Sequence, residues 1–142
     1  MRTATRLFVL FLAIGFPVVG GFASPAKVDQ GDQSVKIIEV TAKKYEFNPS
    51  PIRVKAGTKV QLKVTTLDRK HGIKISPFAD GADTKGEPGL IFTSKEDCFT
   101  IDKDAPATVE FVAKTPGTYA IKCCVHCGLG HGGMKGQLIV EP

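Results

Sequence analysis

Residues 117–136 read GTYAIKCCVHCGLGHGGMKG, and within them Cys123, Cys127, His131 and Met134 follow the spacing C-x3-C-x3-H-x2-M. Two thiols, an imidazole and a thioether on one short loop are soft donors, a set that suits copper better than magnesium or calcium. Met134 is the only methionine besides the initiator, and His131 is one of three histidines. Their meeting on one loop is therefore not a product of abundance. Glycines at 128, 130, 132, 133 and 136 let such a loop fold tightly round a small object. In an extended segment successive side chains face opposite ways. Tyr119, Ile121 and Cys123 share one face, Lys122 and Cys124 the other. With Ile121 expected inside, Cys123 points inward and Cys124 outward. The same test on His71-Gly72-Ile73-Lys74-Ile75 groups His71 with two isoleucines, so His71 also faces in.

Four cysteines admit a second reading, in which an exported chain carries two disulfides. Adjacent Cys123 and Cys124 do not readily pair with each other, so that reading takes Cys127 and Cys98 as partners. It leaves His131, Met134 and the inward His71 without a role, and metal binding gives all three one.

The elements that must hold these residues are strands. Of 142 residues, 15 are Gly and 9 are Pro, too much punctuation for a helical bundle and ordinary for a small all-β domain. Val60, Leu62 and Val64 alternate with Lys59, Gln61 and Lys63, as Val109 and Phe111 do with Thr108 and Glu110. Such alternation marks half-buried strands. Strands are predicted at Val35–Thr41, Ile52–Val54, Lys59–Thr65, His71–Ile75, Cys98–Ile101, Thr108–Val112, Gly117–Cys123 and Gln137–Glu141. Turn signals at Asn48-Pro49, Ala56-Gly57, Asp68-Arg69 and Thr115-Pro116-Gly117 separate them. About eight short strands at this spacing predict a β-sandwich. Its expected core holds Val60, Leu62, Val64, Ile73, Val109, Phe111, Tyr119, Ile121 and Leu138. Pro77–Lys95, rich in Gly, Asp and Lys and without a period, reads as a long surface loop.

Ahead of this domain, Arg2 and Arg6 precede an apolar run from Leu7 to Phe22. Residues 1–23 are predicted to be a signal peptide or a membrane anchor, with cleavage expected before Ser24, and 24–34 a polar linker. Pro17 and Gly20-Gly21 weaken a spanning helix, and the run is shorter than the roughly 20 residues one needs. The basic end stays inside, so residues 35–142 are expected in the periplasm or otherwise outside the cytoplasm. The absence of a cysteine near the cleavage point argues against a bacterial lipoprotein. The net charge of +5 falls to +3 without the first 23 residues. That surplus, carried on scattered lysines, is too weak to argue for nucleic acid. The sequence has no phosphate-loop motif, no GxSxG and no HExxH, which leaves the common hydrolase and nucleotide-binding readings without support.

The loop KCCVHCGLGHGGM, preceded by GTYAI and followed by KGQLIVEP, resembles the dinuclear-copper (CuA) loop of the cupredoxin fold, found in cytochrome c oxidase subunit II and nitrous-oxide reductase. DRKHGIKI, with Asp68 and His71, resembles the upstream strand that carries that family's other copper-binding histidine. PIRVKAGTKVQLKVTTLD is similar to the segment leading into it. The likeness covers about residues 35–142 and implies a cupredoxin-like Greek-key β-sandwich. It further implies that Cys123 and Cys127 bridge two coppers, that His71 and His131 each cap one, and that Met134 is a weak axial ligand. The backbone carbonyl of Val125 completes the implied set. The implied role is electron transfer, as a free carrier or as the subunit II-like part of a respiratory oxidase. The implied partner is a redox protein such as a c-type cytochrome or a terminal oxidase.

His126 stands where an apolar residue is usual in that family and is expected at the surface. Cys98 and Cys124 lie outside the implied ligand set, and a disulfide between them stays open. Two other functions stand beside electron transfer: a periplasmic copper chaperone or storage protein, and a non-metal binding module held by disulfides. Copper assembly proteins with a CxxxC pair use a thioredoxin-like βαβ fold, and no helical segment of the required length is read here.

Overall fold

The structure, a computed structural model, describes residues 34–142. The expected export segment, residues 1–23, and nearly all of the linker fall outside the described residues. Ten strands run in chain order as β1 (Val35–Lys43), β2 (Glu46–Asn48), β3 (Ile52–Lys55), β4 (Lys59–Thr66), β5 (His71–Ile75), β6 (Leu90–Phe92), β7 (Phe99–Ile101), β8 (Ala107–Ala113), β9 (Gly117–Lys122) and β10 (Lys135–Glu141). A single 3-10 turn, His131–Gly133, is the one helical piece among the described residues. No helix there is long and apolar enough to cross a membrane.

The strands pair along one path, β6-β8-β4-β1-β2-β10-β9-β5-β7, with β3 added beside β10. This path curls over on itself, because β7 at one end packs against β4 and β8 near the other. The result is an all-β, cupredoxin-like sandwich. β1 runs parallel to β4 over eight residues, Val35 opposite Lys59 through Ala42 opposite Thr66. β9 and β10 form an antiparallel pair that runs from Val140 opposite Gly117 to Lys135 opposite Lys122. β5 lies against the end of β9, with Lys74 opposite Lys122 and Ile75 opposite Ile121. That last pairing brings His71 to the start of the cysteine loop.

The core follows the alternation. Val60, Leu62, Val64, Ile73, Val109, Phe111, Tyr119, Ile121 and Leu138 are all buried, while Lys63 and Lys122 are exposed. Removing each such apolar side chain from water contributes about 1.5–3 kcal/mol. Two strands depart from the expected set. β2 and β6 are three residues each, too short to display a period. β6 lies inside the segment expected to be a structureless loop, where Leu90 is buried and pairs with Ala113. That loop is thus divided, and its last part is an edge strand.

Tyr119 is fully buried, and its hydroxyl donates to the Thr115 carbonyl at 2.6 Å. Burial holds its phenol above the ordinary value. The bond ties the turn before β9 to the strand that delivers the cysteines. Tyr119→Phe should lower stability by about 1–2 kcal/mol, because it leaves the carbonyl without its donor. Urea unfolding should register this as a lower midpoint at an unchanged slope.

Candidate metal centre

The cysteine loop is the connection between β9 and β10, and its own backbone holds it shut. Cys123 N–H donates to the Met134 carbonyl at 3.1 Å, which closes the loop where the two strands part. Inside it His131 N–H donates to Gly128 O, Gly133 N–H to Gly130 O and Met134 N–H to His131 O, all at 2.9–3.0 Å. Gly130 allows the Tyr45 ring to lie directly on the loop, since a Cβ there would meet Tyr45 Cε2 at 2.2 Å.

The alternation expected for β9 is realised. Ile121 and Cys123 are buried and Lys122 is exposed. The donor atoms converge: Cys123 Sγ lies 3.7 Å from Cys127 Sγ, and Cys127 Sγ lies 3.7 Å from His131 Nδ1 and 3.8 Å from Met134 Sδ. The Val125 carbonyl is 3.2 Å from Cys123 Sγ. Cys123, Cys127 and Met134 are buried, and His131 is half-buried. His71 reaches this cluster from β5, with a ring nitrogen and both thiol sulfurs all within 4.8 Å of one another. All six residues expected from sequence are therefore brought together.

These residues fit a soft metal on two counts. The thiols are closer together than two metal–thiolate bonds of about 2.3 Å laid end to end, so both can bond one ion without moving. In addition, His71 is completely buried, its Nε2 is bonded to Asp68 Oδ1 at 2.7 Å, and its Nδ1 has no partner among the described residues. Buried polar atoms are nearly always partnered. With the proton on Nε2, Nδ1 carries the lone pair, the arrangement in which a carboxylate orients a metal-ligating histidine.

Asp68 is itself fixed. It accepts from the backbone N–H groups of Lys44 and Arg69 at 3.0 and 2.7 Å as well as from His71. Burial raises its carboxyl pKa, but the hydrogen bonds from His71, Lys44 and Arg69 outweigh this and hold it well below the carboxylate range. The Cys127 thiol is pushed up to about 11, chiefly by burial and then by the neighbouring Cys123. Arg69 Nη1 donates to the Cys127 carbonyl at 3.3 Å, and its charge opposes that rise.

The two remaining cysteines form a disulfide, Cys98–Cys124, with Cα atoms 5.9 Å apart, and leave Cys123 and Cys127 as free thiols. The pairing of Cys127 with Cys98 is not adopted: Cys98 is taken by Cys124, and Cys127 stays a free, buried thiol in the donor loop. Gly72 makes room for the bridge: a Cβ there would lie 2.8 Å from Cys124 Sγ and 2.7 Å from Val125 Cγ2. His126 is exposed as expected, its ring 5.5 Å from that of His131. Tyr45 and Arg69 were not singled out from sequence, because each lies in a turn whose path carries no periodic signal.

The matching family model, a cupredoxin-like domain, covers residues 10–140, and the chain belongs to that family. Its homology is to cytochrome c oxidase subunit 2: the protein of that name from Thermus thermophilus is 30% identical over 125 residues, which are 86% of this chain and 78% of that one. A second subunit 2 from the same species is equally identical and is spanned for 63% of its length. Among solved structures, a chain of a heme-copper terminal oxidase dimer superposes with a TM-score of 0.54 at 22% identity, over 90% of this chain and 80% of that one. The periplasmic domain of cytochrome oxidase subunit II (CoxB) of Bradyrhizobium japonicum gives 0.53 at 16%, over 74% and 83%. Auracyanin A, a blue copper protein from Chloroflexus aurantiacus, gives 0.54 at 19%, over 76% and 100%. These likenesses support the fold.

The disulfide closes a loop of sequence separation 26. On the chain-entropy account such a loop contributes about 3–4 kcal/mol. Cys98→Ser/Cys124→Ser should therefore melt on the order of 10 °C lower, yet still bind metal through Cys123 and Cys127. Calorimetry with a thiol count checks both halves.

Proposed function

We propose that the chain is an exported copper electron carrier with a dinuclear, CuA-type centre held by His71, Cys123, Cys127, His131, Met134 and the Val125 carbonyl. Membership of the cupredoxin-like family and homology to oxidase subunit 2 support copper-based electron transfer outside the cytoplasm and association with a terminal oxidase. The observation that carries the dinuclear reading is the pair of free, buried thiols 3.7 Å apart, with a ring nitrogen of buried His71 within 4.8 Å of both. A blue-copper centre takes one thiolate with two imidazoles, whereas this loop offers two thiols. Copper held by these residues would supply one-electron redox chemistry.

The chain's own residues do the rest. Cys123 and Cys127 would offer two sulfurs, and His71 and His131 would offer one ring nitrogen each. Met134 approaches Cys127 as a weak thioether donor. Asp68 keeps the His71 proton on Nε2, and the buried sulfurs exclude water. Residues 1–23 would deliver the domain across the membrane or hold it there. A copper chaperone or storage protein using the same donors is the alternative; exposed His126 beside His131 is the feature that favours it.

Copper titration decides between them. Two coppers per chain, a purple colour and a mixed-valence paramagnetic signal are expected. One copper per chain, or several bound weakly without colour, overturns the dinuclear reading. Cys127→Ser should abolish the signal, whereas Met134→Leu should keep both coppers.

Because the Cys127 thiol sits near 11, it is protonated at neutral pH, and bonding a metal releases that proton. Copper affinity should then weaken as pH falls, by about tenfold per unit for each proton released. His71→Ala should lose most of the copper-induced gain in thermal stability, and His126→Ala should keep it. Proton release in weak buffer and melting with and without copper measure these effects.

A further inference from the structure

Three lysines that the proposed centre does not use lie side by side on the outer face of the strands that carry it. The register sets Lys122 opposite Lys135 across β9 and β10, and Lys74 opposite Lys122 across β5 and β9. All three are exposed. Each is close in sequence to a candidate donor: Lys122 precedes Cys123, Lys135 follows Met134, and Lys74 is three residues past His71. Like charges set directly opposite each other on a sheet are destabilising, so the arrangement has a cost that folding alone does not explain.

The acids nearby do not cancel it. Asp97 pairs with Lys74, and Glu46, opposite Lys135 in β2, is engaged by Lys43 at 2.9 Å. Among the described residues neither the Lys122 nor the Lys135 side chain has an ion-pair or hydrogen-bond partner. Both line a groove of about 410 Å³ with Ser50, Gly136, Gln137 and a single acid, Asp80. The two uncompensated cations thus stand at the point where both strands enter the donor loop.

We propose that this lysine strip is a docking surface for an acidic redox protein, which seats on it with its own redox group near the donor loop. The proposal rests on the electron-carrier reading and names the charge of the partner. Charge complementarity selects that occupant: fixed, exposed cations beside a redox site raise the encounter rate of an anionic partner and repel a cationic one. Position selects it too, since electron exchange needs the partner close to the donors and the strip borders them.

The test uses the copper-loaded chain and two c-type cytochromes of similar potential as probes, one acidic and one basic. Stopped-flow mixing at low salt and at about 0.3 M salt, where screening is strong, measures electron exchange. Calorimetry measures binding of each cytochrome without relying on electron transfer. The acidic cytochrome should react at least about tenfold faster at low salt than at high salt. Lys122→Glu/Lys135→Glu should slow it by about tenfold, flatten its salt dependence and speed the basic probe, with copper count, colour and melting temperature unchanged. Acidic-probe binding and rate that ignore this double substitution overturn the strip and leave the copper reading intact. Binding that is lost in the double variant, without electron exchange in the parent chain, overturns the carrier reading and leaves the strip. Vesicles of anionic phospholipid that bind through these lysines when the acidic cytochrome does not also overturn the proposal.

Discussion

A fully buried imidazole whose Nε2–H is held by a carboxylate has one use left for its other nitrogen. In this chain that nitrogen, His71 Nδ1, has no partner among the described residues, and a ring nitrogen of His71 lies within 4.8 Å of both buried thiols. Burial of an unpaired acceptor costs about 1–3 kcal/mol, a penalty that bonding to a metal would reverse. The bond between Asp68 and His71 therefore sets the tautomer, the ring orientation and the direction in which the lone pair points. A different proton position would turn a donor of electrons into a donor of hydrogen bonds.

That one contact organises the whole end of the sandwich. Asp68 holds His71 and also receives the backbone of Lys44 and Arg69, so the β1–β2 turn and the β4–β5 turn meet on a single carboxylate. From the same turn, Arg69 reaches the Cys127 carbonyl, and from the other, Tyr45 lies against Gly130. Two turns distant in sequence thus brace the donor loop from one side. The Cys98–Cys124 bridge ties down its first residues as well. A loop with five glycines would otherwise be among the least ordered parts of the chain; here its backbone bonds and these two braces give it one conformation.

Much of this was legible in residue types alone, for a definite reason. A period of two forces neighbours to opposite faces, so once Ile121 and Ile73 are inside, Cys123 and His71 follow them in and Cys124 does not. Burial of Val60, Leu62 and Val64 follows from the same rule. Where no period exists the rule gives nothing. β2 and β6 are three residues long, and the pairing of Leu90 with Ala113 is decided by tertiary packing. The partner of Cys124 depended on where the loop after β5 returns, and nothing local specifies that. Tyr45 and Arg69 contribute through the approach of separate turns, which only the assembled sandwich reveals.

The pleat also keeps two kinds of sulfur chemistry apart. Adjacent cysteines on one chain would be a hazard if both faced the same way, because a free thiolate next to a disulfide can attack it. Just past the end of β9, Cys123 turns into the core, while half-buried Cys124 bonds Cys98. Burial raises the Cys127 thiol to about 11, which keeps its own thiolate fraction small at neutral pH. The bridge can then hold the loop in an oxidising compartment while the two inward thiols stay reduced and available. The opposite directions of two neighbouring side chains thus do two jobs that a single direction could not combine, which accounts for a cysteine pair being tolerated at this point in the chain.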